Sequence, residues 1–244
     1  MLELRDFVSN YAPTNLEDCV DGKHTRKAVD EIFKVCLVPQ PMLIQGVSSC
    51  GKTTTARLIA KEYLYDNKDK LDLCAVLNEY IQTGDTTNLD SIKEVDAESL
   101  VSKKDLDTLV EDMMTGSSER RVYIFDEFHM VATESQDRLA EIVGNLPENV
   151  LAIFCTDDTK GISENFKSKC KIHLEVAKPT VYDLIGVSEY ICKMENIEYD
   201  LEGLELIASK VNSNIRYNLN LLYQVINEQG NATYKSASGV LDKE

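Results

Sequence analysis

Eight consecutive residues, Gly46-Val47-Ser48-Ser49-Cys50-Gly51-Lys52-Thr53, have the types and spacing of a phosphate cradle, G-x-x-x-x-G-K-[ST]. Gly46 and Gly51 permit the backbone angles that wrap a turn around an anion. The turn's amides and the N-terminus of a following helix, which continues through Thr54, would face that anion. Lys52 would set a point charge on the β- and γ-phosphates, and Thr53 would offer its hydroxyl to Mg²⁺. A chance match in a chain of this length is on the order of 1%. The pattern therefore implies a nucleoside triphosphate, ATP, held with Mg²⁺.

A second set of candidates lies about 70 residues on. Asp126 and Glu127 end an apolar run, Val122-Tyr123-Ile124-Phe125. A carboxylate at the end of such a strand can hold Mg²⁺ close to the loop threonine, and a second one can take a proton from an attacking water. Alone, the pair would read as two solvated acids; the phosphate loop upstream makes them catalytic candidates. Thr156 ends the next apolar run, VLAIFCT. It either reaches the γ-phosphate and the lytic water or is satisfied by a turn of its own. Arg216, in SNIRYNL, and Lys169, in SKC, read locally as surface charges.

These residues need elements to position them. Residues 10–21 read as loop, and helical spacing follows over Thr25–Val35, closed by Pro39 and Pro41. Met42-Leu43-Ile44 reads as a buried strand entering the loop, and 52–65 as a helix opening directly from it. Another helix is expected within 66–91, a strand at Ile92–Val95, and an amphipathic helix at 103–114 that breaks at Gly116-Ser117-Ser118. Strands follow at 122–125, 150–155 and 172–176, with a helix at about 134–144. Strands alternating with helices predict an α/β fold, a parallel sheet flanked by helices. After Pro179 only helical patterns remain, at about 180–195, 201–211 and 215–228. The expected organisation is a nucleotide-binding domain at 1–178, a small all-helical domain at 179–228 and a polar, flexible tail at 229–244.

Composition narrows the class. The 244 residues carry 26 basic and 42 acidic side chains, a net charge of −16. Such a surface repels nucleic acid at long range, so any DNA contact requires a local patch or a basic partner. No apolar run approaches the roughly 18 residues of a membrane span, and no membrane partner is expected. Seven cysteines stand singly with no C-x-x-C, which excludes a zinc ribbon or thioredoxin motif. Reduced thiols in a cytoplasmic protein are the expectation.

The ordered segments NYAPTNLEDCVDGKHT, GVSSCGKTTTARLIAK, KEVDAES, VYIFDEFHM, LAIFCTDDTKGI, FKSKCKIHLEV and SNIRYNLNLL, spanning roughly residues 5–228, resemble the ATPase subunits of sliding-clamp loaders. The bacterial gamma/tau type, within the AAA+ superfamily, is the nearest pattern. The resemblance implies a P-loop AAA+ domain followed by a helical lid, and roles for named residues. Tyr11, Ala12, Pro13 and Val20 would pack against adenine. Gly46 to Thr53 would be Walker A. Asp126 would hold Mg²⁺ and Glu127 would activate water, as Walker B. Thr156 would be sensor 1, and Arg216 the sensor 2 arginine that reaches the γ-phosphate. Lys169 falls where the family has an arginine acting on ATP of the neighbouring subunit. The implied partners are other clamp-loader subunits, a sliding clamp and primer-template DNA, in the cytoplasm of a bacterial or phage-infected cell.

Three departures accompany the resemblance. Lys169 keeps a charge but loses the planar fork of arginine. The zinc-binding cysteines that many bacterial members carry between the Walker motifs are missing, with Cys74 alone there. The family's C-terminal helical collar has no counterpart after the lid. Two further readings stay open on this basis: a helicase loader or remodelling ATPase of the same fold, and a scaffold subunit that binds ATP with little hydrolysis.

Overall fold

The computed structural model describes residues 7–20, 22–35, 40–65, 71–87, 89–97, 103–115 and 119–242. Expectations at Pro39 and at the 116–118 break lie outside these residues. The chain divides into two compact units. One is built from the N-terminal segment to Ala12, Ser48–Gly51 and Ala177 onward; the other from Pro13–Val47 and Lys52–Val176.

The larger unit is a five-stranded sheet with helices. Its strands are β1 (Met42–Gln45), β2 (Ile92–Asp96), β3 (Arg121–Asp126), β4 (Val150–Thr156) and β5 (Ile172–Glu175). Their order is β2-β3-β4-β1-β5, and every pairing is parallel. All seven residues of β4 are buried, as expected of a central parallel strand covered on both faces, where polar alternation disappears. Helices α2 (Gly22–Val35), α3 (Lys52–Leu64), α4 (Leu71–Thr83), α5 (Lys103–Met114), α6 (Thr133–Val143) and α7 (Glu164–Lys169) belong to this unit.

One face of the sheet carries an aromatic cluster. Phe125 stacks on Phe154 with ring centroids 4.6 Å apart, and Phe128 and Phe166 close on Phe154 at 4.8 Å each. Offset and edge-to-face aromatic pairs at this range add about 1 kcal/mol each beyond area burial. Behind α3, Arg57 makes a bidentate ion pair with Glu94 of β2 (2.6 and 2.9 Å) and donates to the Ile81 carbonyl of α4. The Tyr80 hydroxyl donates to the same carboxylate. One arginine thus ties the helix after the phosphate loop to a strand and a helix.

The smaller unit has its own core, formed by α1 (Phe7–Asn10), α8 (Val181–Met194), α9 (Leu201–Lys210), α10 (Ile215–Gln229) and α11 (Tyr234–Leu241). Its boundaries follow from local chemistry. Thr180 and Asp183 form a capping box at α8. Asp200 and Asn214 cap α9 and α10 by accepting from the N–H groups of Gly203 and Tyr217. Gly230, at φ 78°, ends α10 in the left-handed conformation that favours glycine.

The stretch after Gly230, expected as a flexible tail, is instead helical over α11. Its polar residues are spent on local bonds: Asn231 accepts from Thr233 and Ser236. Asp200 accepts from the Tyr234 N–H while also capping α9. Ala237 and Val240 are buried in the helical core. Composition suggested disorder because it cannot register which polar groups serve as caps. The six described cysteines are free thiols, and burial pushes Cys170 up to about 12 and Cys192 up to about 11, so both stay protonated at neutral pH.

Gly203 makes the approach of α9 to the start of α11 possible. A Cβ there would lie 2.5 Å from the Ala232 carbonyl oxygen and 2.7 Å from the Tyr234 nitrogen, both backbone atoms. Gly203→Ala should therefore destabilise the helical unit by about 2 kcal/mol through overpacking. Urea denaturation measures the loss, and faster amide exchange in α11 should accompany it. An unchanged midpoint would contradict the contact.

Candidate functional site

A parallel sheet places the C-terminal ends of all its strands along one edge. Because β4 lies between β3 and β1, that edge gathers the end of β1, where Gly46 opens the phosphate loop, Asp126 and Glu127 after β3, and Thr156 at the end of β4. Gln45 is in register with Thr156, and the Gly46 N–H donates to the Thr156 carbonyl at 3.3 Å. In open α/β sheets, ligands bind outside this edge.

The loop carries two left-handed residues, Ser49 (φ 56°) and Gly51 (φ 106°). A Cβ on Gly51 would meet nothing within 4 Å, so its backbone conformation rather than space calls for glycine. Turns with left-handed residues can aim successive N–H groups into an anion-binding concavity. Lys52, the first residue of α3, is buried, and its Nζ donates to the Val47 carbonyl at 3.0 Å. Thr53 Oγ1 donates to Asp126 Oδ2 at 2.7 Å. That bond joins two motifs 73 residues apart.

Glu127 is held in the left-handed region, at φ 50° and ψ 40°. A non-glycine residue there costs about 1 kcal/mol or more and persists only where its surroundings fix it. Here the next residue, Phe128, is fully buried among the aromatic rings. The Glu127 N–H donates to Asp126 Oδ1, and its carbonyl accepts from the Met130 N–H. Burial lifts the Glu127 carboxyl above its ordinary range; Asp157 and Asp126 push it the same way, opposed by Lys52 and His129.

Thr156 is fully buried. Its hydroxyl donates to the Asp158 carbonyl (3.0 Å) and accepts from the Asp158 N–H (3.2 Å), so of the two expectations for it, the satisfied turn is the one its bonds describe. Two neighbours were not singled out in the sequence. His129 Nδ1 lies 3.4 Å from Thr156 Oγ1 and 3.6 Å from Glu127 Oε2, and its Nε2 lies 3.2 Å from Asp157 Oδ1. The available signal was adjacency alone, His129 two residues after Glu127 and Asp157 one after Thr156.

Lys52, Thr53, Asp126, Glu127 and Thr156 thus share one edge of the larger unit. Arg216 is exposed on α10 of the smaller unit. Lys169 is exposed at the end of α7, where a cation suits the helix C-terminus. The four adenine candidates divide: Tyr11 and Ala12 fall in the smaller unit, Pro13 and Val20 in the larger. The Tyr11 hydroxyl donates to Glu195 at 2.6 Å, and its ring meets Phe7 and Tyr190 edge-on. The loop following Pro13 is fastened to α3 by Lys61, whose Nζ donates to the Thr14 carbonyl.

Residues 42–178 match the family described as "ATPase family associated with various cellular activities (AAA)". The chain is 30% identical over 224 residues to the DNA polymerase III subunit gamma/tau of Mycoplasma genitalium, covering 91% of this chain and 37% of that protein. It is 26% identical to the DNA polymerase III subunit gamma of Buchnera aphidicola subsp. Schizaphis graminum, covering 95% of this chain and 64% of that one. Against the tau subunit of Escherichia coli, identity is 25%, over 95% of this chain and 36% of the subunit. The chain therefore spans between about a third and two thirds of these relatives. Among solved structures, the Thermotoga maritima RuvB Holliday junction branch migration motor superposes with a TM-score of 0.71. It is 17% identical, over 95% of this chain and 72% of that one, a likeness of fold. The observed sheet and the helical C-terminal unit accord with the expected α/β architecture.

The raised Glu127 carboxyl has a thermodynamic consequence. Its charged form is disfavoured in the fold, so the penalty is present at neutral pH. It is relieved as pH falls through the folded carboxyl's range, and it is gone below the ordinary glutamate value. In protein free of nucleotide and metal, Glu127→Gln should raise Tm at neutral pH, and the gain should close as the pH is lowered. Thermal melts across pH measure this; a neutral-pH Tm at or below wild type would contradict it.

Proposed function

Because the chain belongs to the AAA family of ATPases, we propose that it binds ATP through Gly46–Thr54 and hydrolyses it with Glu127 as the water-activating base. The observation that carries this reading is the 2.7 Å bond from Thr53 Oγ1 to Asp126 Oδ2, with Lys52 and Glu127 at the same sheet edge. A hydroxyl and a carboxylate oxygen this close are the hard donors that suit Mg²⁺. Thr53 and Asp126 would hold the ion, which when bound neutralises charge on the phosphate oxygens. Lys52 exchanges the Val47 carbonyl for phosphate oxygens, and the amides around Ser49 and Gly51 receive the rest of the anion. Glu127 accepts a proton from the attacking water, and its raised carboxyl makes it a stronger base than a solvated glutamate. Thr156 would sense the γ-phosphate by giving up its bond to the Asp158 carbonyl, and the family pattern supports roles for Arg216 toward that phosphate and for Tyr11, Ala12, Pro13 and Val20 toward adenine.

The client we infer is a sliding clamp. The gamma and gamma/tau relatives align over more than nine tenths of the chain, and the Walker and sensor motifs stand in their family order. ATP would favour a tight ring of such subunits that opens the clamp on primer-template DNA, and hydrolysis would release it. With a net charge of −16, DNA contact is a property of the assembly, in a bacterial or phage-infected cytoplasm. Lys169 supports a second reading, a subunit that binds ATP but turns it over weakly. Trans-acting arginines are worth about 10³–10⁵ in rate in related phosphoryl transfers, and lysine lacks their fork.

Two substitutions separate binding from chemistry. Lys52→Ala should abolish ATP binding in calorimetry. Glu127→Gln should bind ATP with near wild-type affinity and lose turnover by about 10²–10⁴-fold. Turnover stimulated jointly by clamp and primed DNA supports the loader reading. Tight binding with no turnover under any condition supports the second reading. Normal hydrolysis by Glu127→Gln would remove the base assignment.

A further inference from the structure

We propose that His129 is a positioning residue: one imidazole ties the Glu127 carboxylate to the Thr156–Asp158 turn, so that the ends of β3 and β4 are aimed together. The proposal rests on the reading of Glu127 as the base. His129 sits in a single 3-10 turn, Phe128–Met130, whose first residue is fully buried. The ring is only about a fifth exposed, and it faces groups from both strand ends. Nδ1 is 3.6 Å from Glu127 Oε2 and 3.4 Å from Thr156 Oγ1, while Nε2 is 3.2 Å from Asp157 Oδ1.

The backbone of this histidine is clamped from behind. A Cβ on Gly161 would stand 3.1 Å from His129 Cβ and 3.4 Å from its carbonyl oxygen. The turn Thr159–Gly161 therefore closes on His129 as it does because residue 161 has no side chain. Fixed in place, the ring meets a particular need. Glu127 projects from a left-handed backbone between Asp126 and Asp157, both of which repel its charge. Without a partner the carboxylate would swing toward water. The imidazole gives it a polar neighbour at 3.6 Å and gives Asp157 another at 3.2 Å.

A metal ion is the competing use of Glu127, His129 and Asp157, since one ligand atom from each falls within 4.8 Å of the others. The geometry favours a polar bridge: Nδ1 lies within hydrogen-bond reach of Thr156 Oγ1 and in looser contact with Glu127 Oε2, while Nε2 faces Asp157. The two carboxylates approach different ring nitrogens, and an ion takes only one nitrogen of an imidazole. A bridge uses both.

A misplacement of about 1 Å in a catalytic group can cost on the order of 10²-fold in rate. His129→Ala should therefore lower kcat by about 10–100-fold with KM and ATP affinity nearly unchanged. His129→Asn, whose amide falls where Nδ1 lies, should recover more turnover than His129→Gln, whose amide falls where Nε2 lies. A readout independent of turnover comes from ring ¹⁵N resonances in protein free of nucleotide and metal, where the chain's 3 histidines make assignment direct. Glu127→Gln should shift the Nδ1 resonance of His129, and Asp157→Asn the Nε2 resonance. These two variants keep the proposal testable if His129→Ala fails to fold. Wild-type kcat in His129→Ala alongside a dead Glu127→Gln overturns the bridge and leaves the base reading standing. Ring resonances unmoved by both carboxylate changes also overturn it. A Glu127→Gln enzyme with normal turnover refutes the base reading instead.

Discussion

The bond between Thr53 and Asp126 depends on sheet order. Their parent strands, β1 and β3, are not neighbours; β4 separates them. All three run parallel, so their C-terminal ends emerge on one edge. An antiparallel β4 would put Thr156 at the opposite edge. The helix α3, opening at Lys52, then brings the threonine hydroxyl across the end of β4 to the carboxylate at 2.7 Å. Everything proposed for the site rests on that juxtaposition, because a cradle without the acids binds phosphate but has nothing to hold a metal or take a proton.

Much of this was legible in the sequence, for identifiable reasons. The phosphate loop couples residue type to backbone geometry over eight positions, so a short pattern carries it. The strands show as apolar runs because both faces of a parallel sheet are buried, and β4, buried throughout, is the clearest. The helices of the smaller unit begin at Thr180, Asp200 and Asn214, and side-chain capping is a local property. What stayed hidden depends on distant partners. Helix α11 forms because Asp200, some 34 residues earlier, receives the Tyr234 N–H, and because Gly203 lets the backbones approach. His129 is invisible for the same reason: its neighbour Asp157 follows another strand, β4. In the loop, Gly51 takes a positive φ as expected, but the second left-handed position is Ser49, which no composition rule singles out.

The edge is also where the fold concentrates unfavourable terms. Asp126, Glu127 and Asp157 crowd their charges together, and Glu127 is both partly buried and held in a strained backbone conformation. Local strain and a lifted carboxyl mark places where stability has been traded for chemistry, since a solvated glutamate would be more comfortable and a weaker base. The nearby cations account for part of the balance. Lys52 lies near enough to lower the Glu127 carboxyl, and it is buried against its own loop carbonyl rather than solvated.

Such strain can persist only on a stiff support, and the aromatic cluster supplies it. Phe125 precedes the acids on β3 and Phe128 follows them, and both pack on Phe154 of β4, which sits two residues before Thr156. The acids therefore occupy a short bridge between two anchored rings. Closely packed interiors resist displacement of even a methylene's width, so the backbone at Glu127 cannot relax without moving the rings. Rotation of the Glu127 side chain is not fixed by this packing, because its carboxylate projects toward the open edge. Aim must come from polar neighbours there. His129 is one already seated, on the next turn of the same anchored segment.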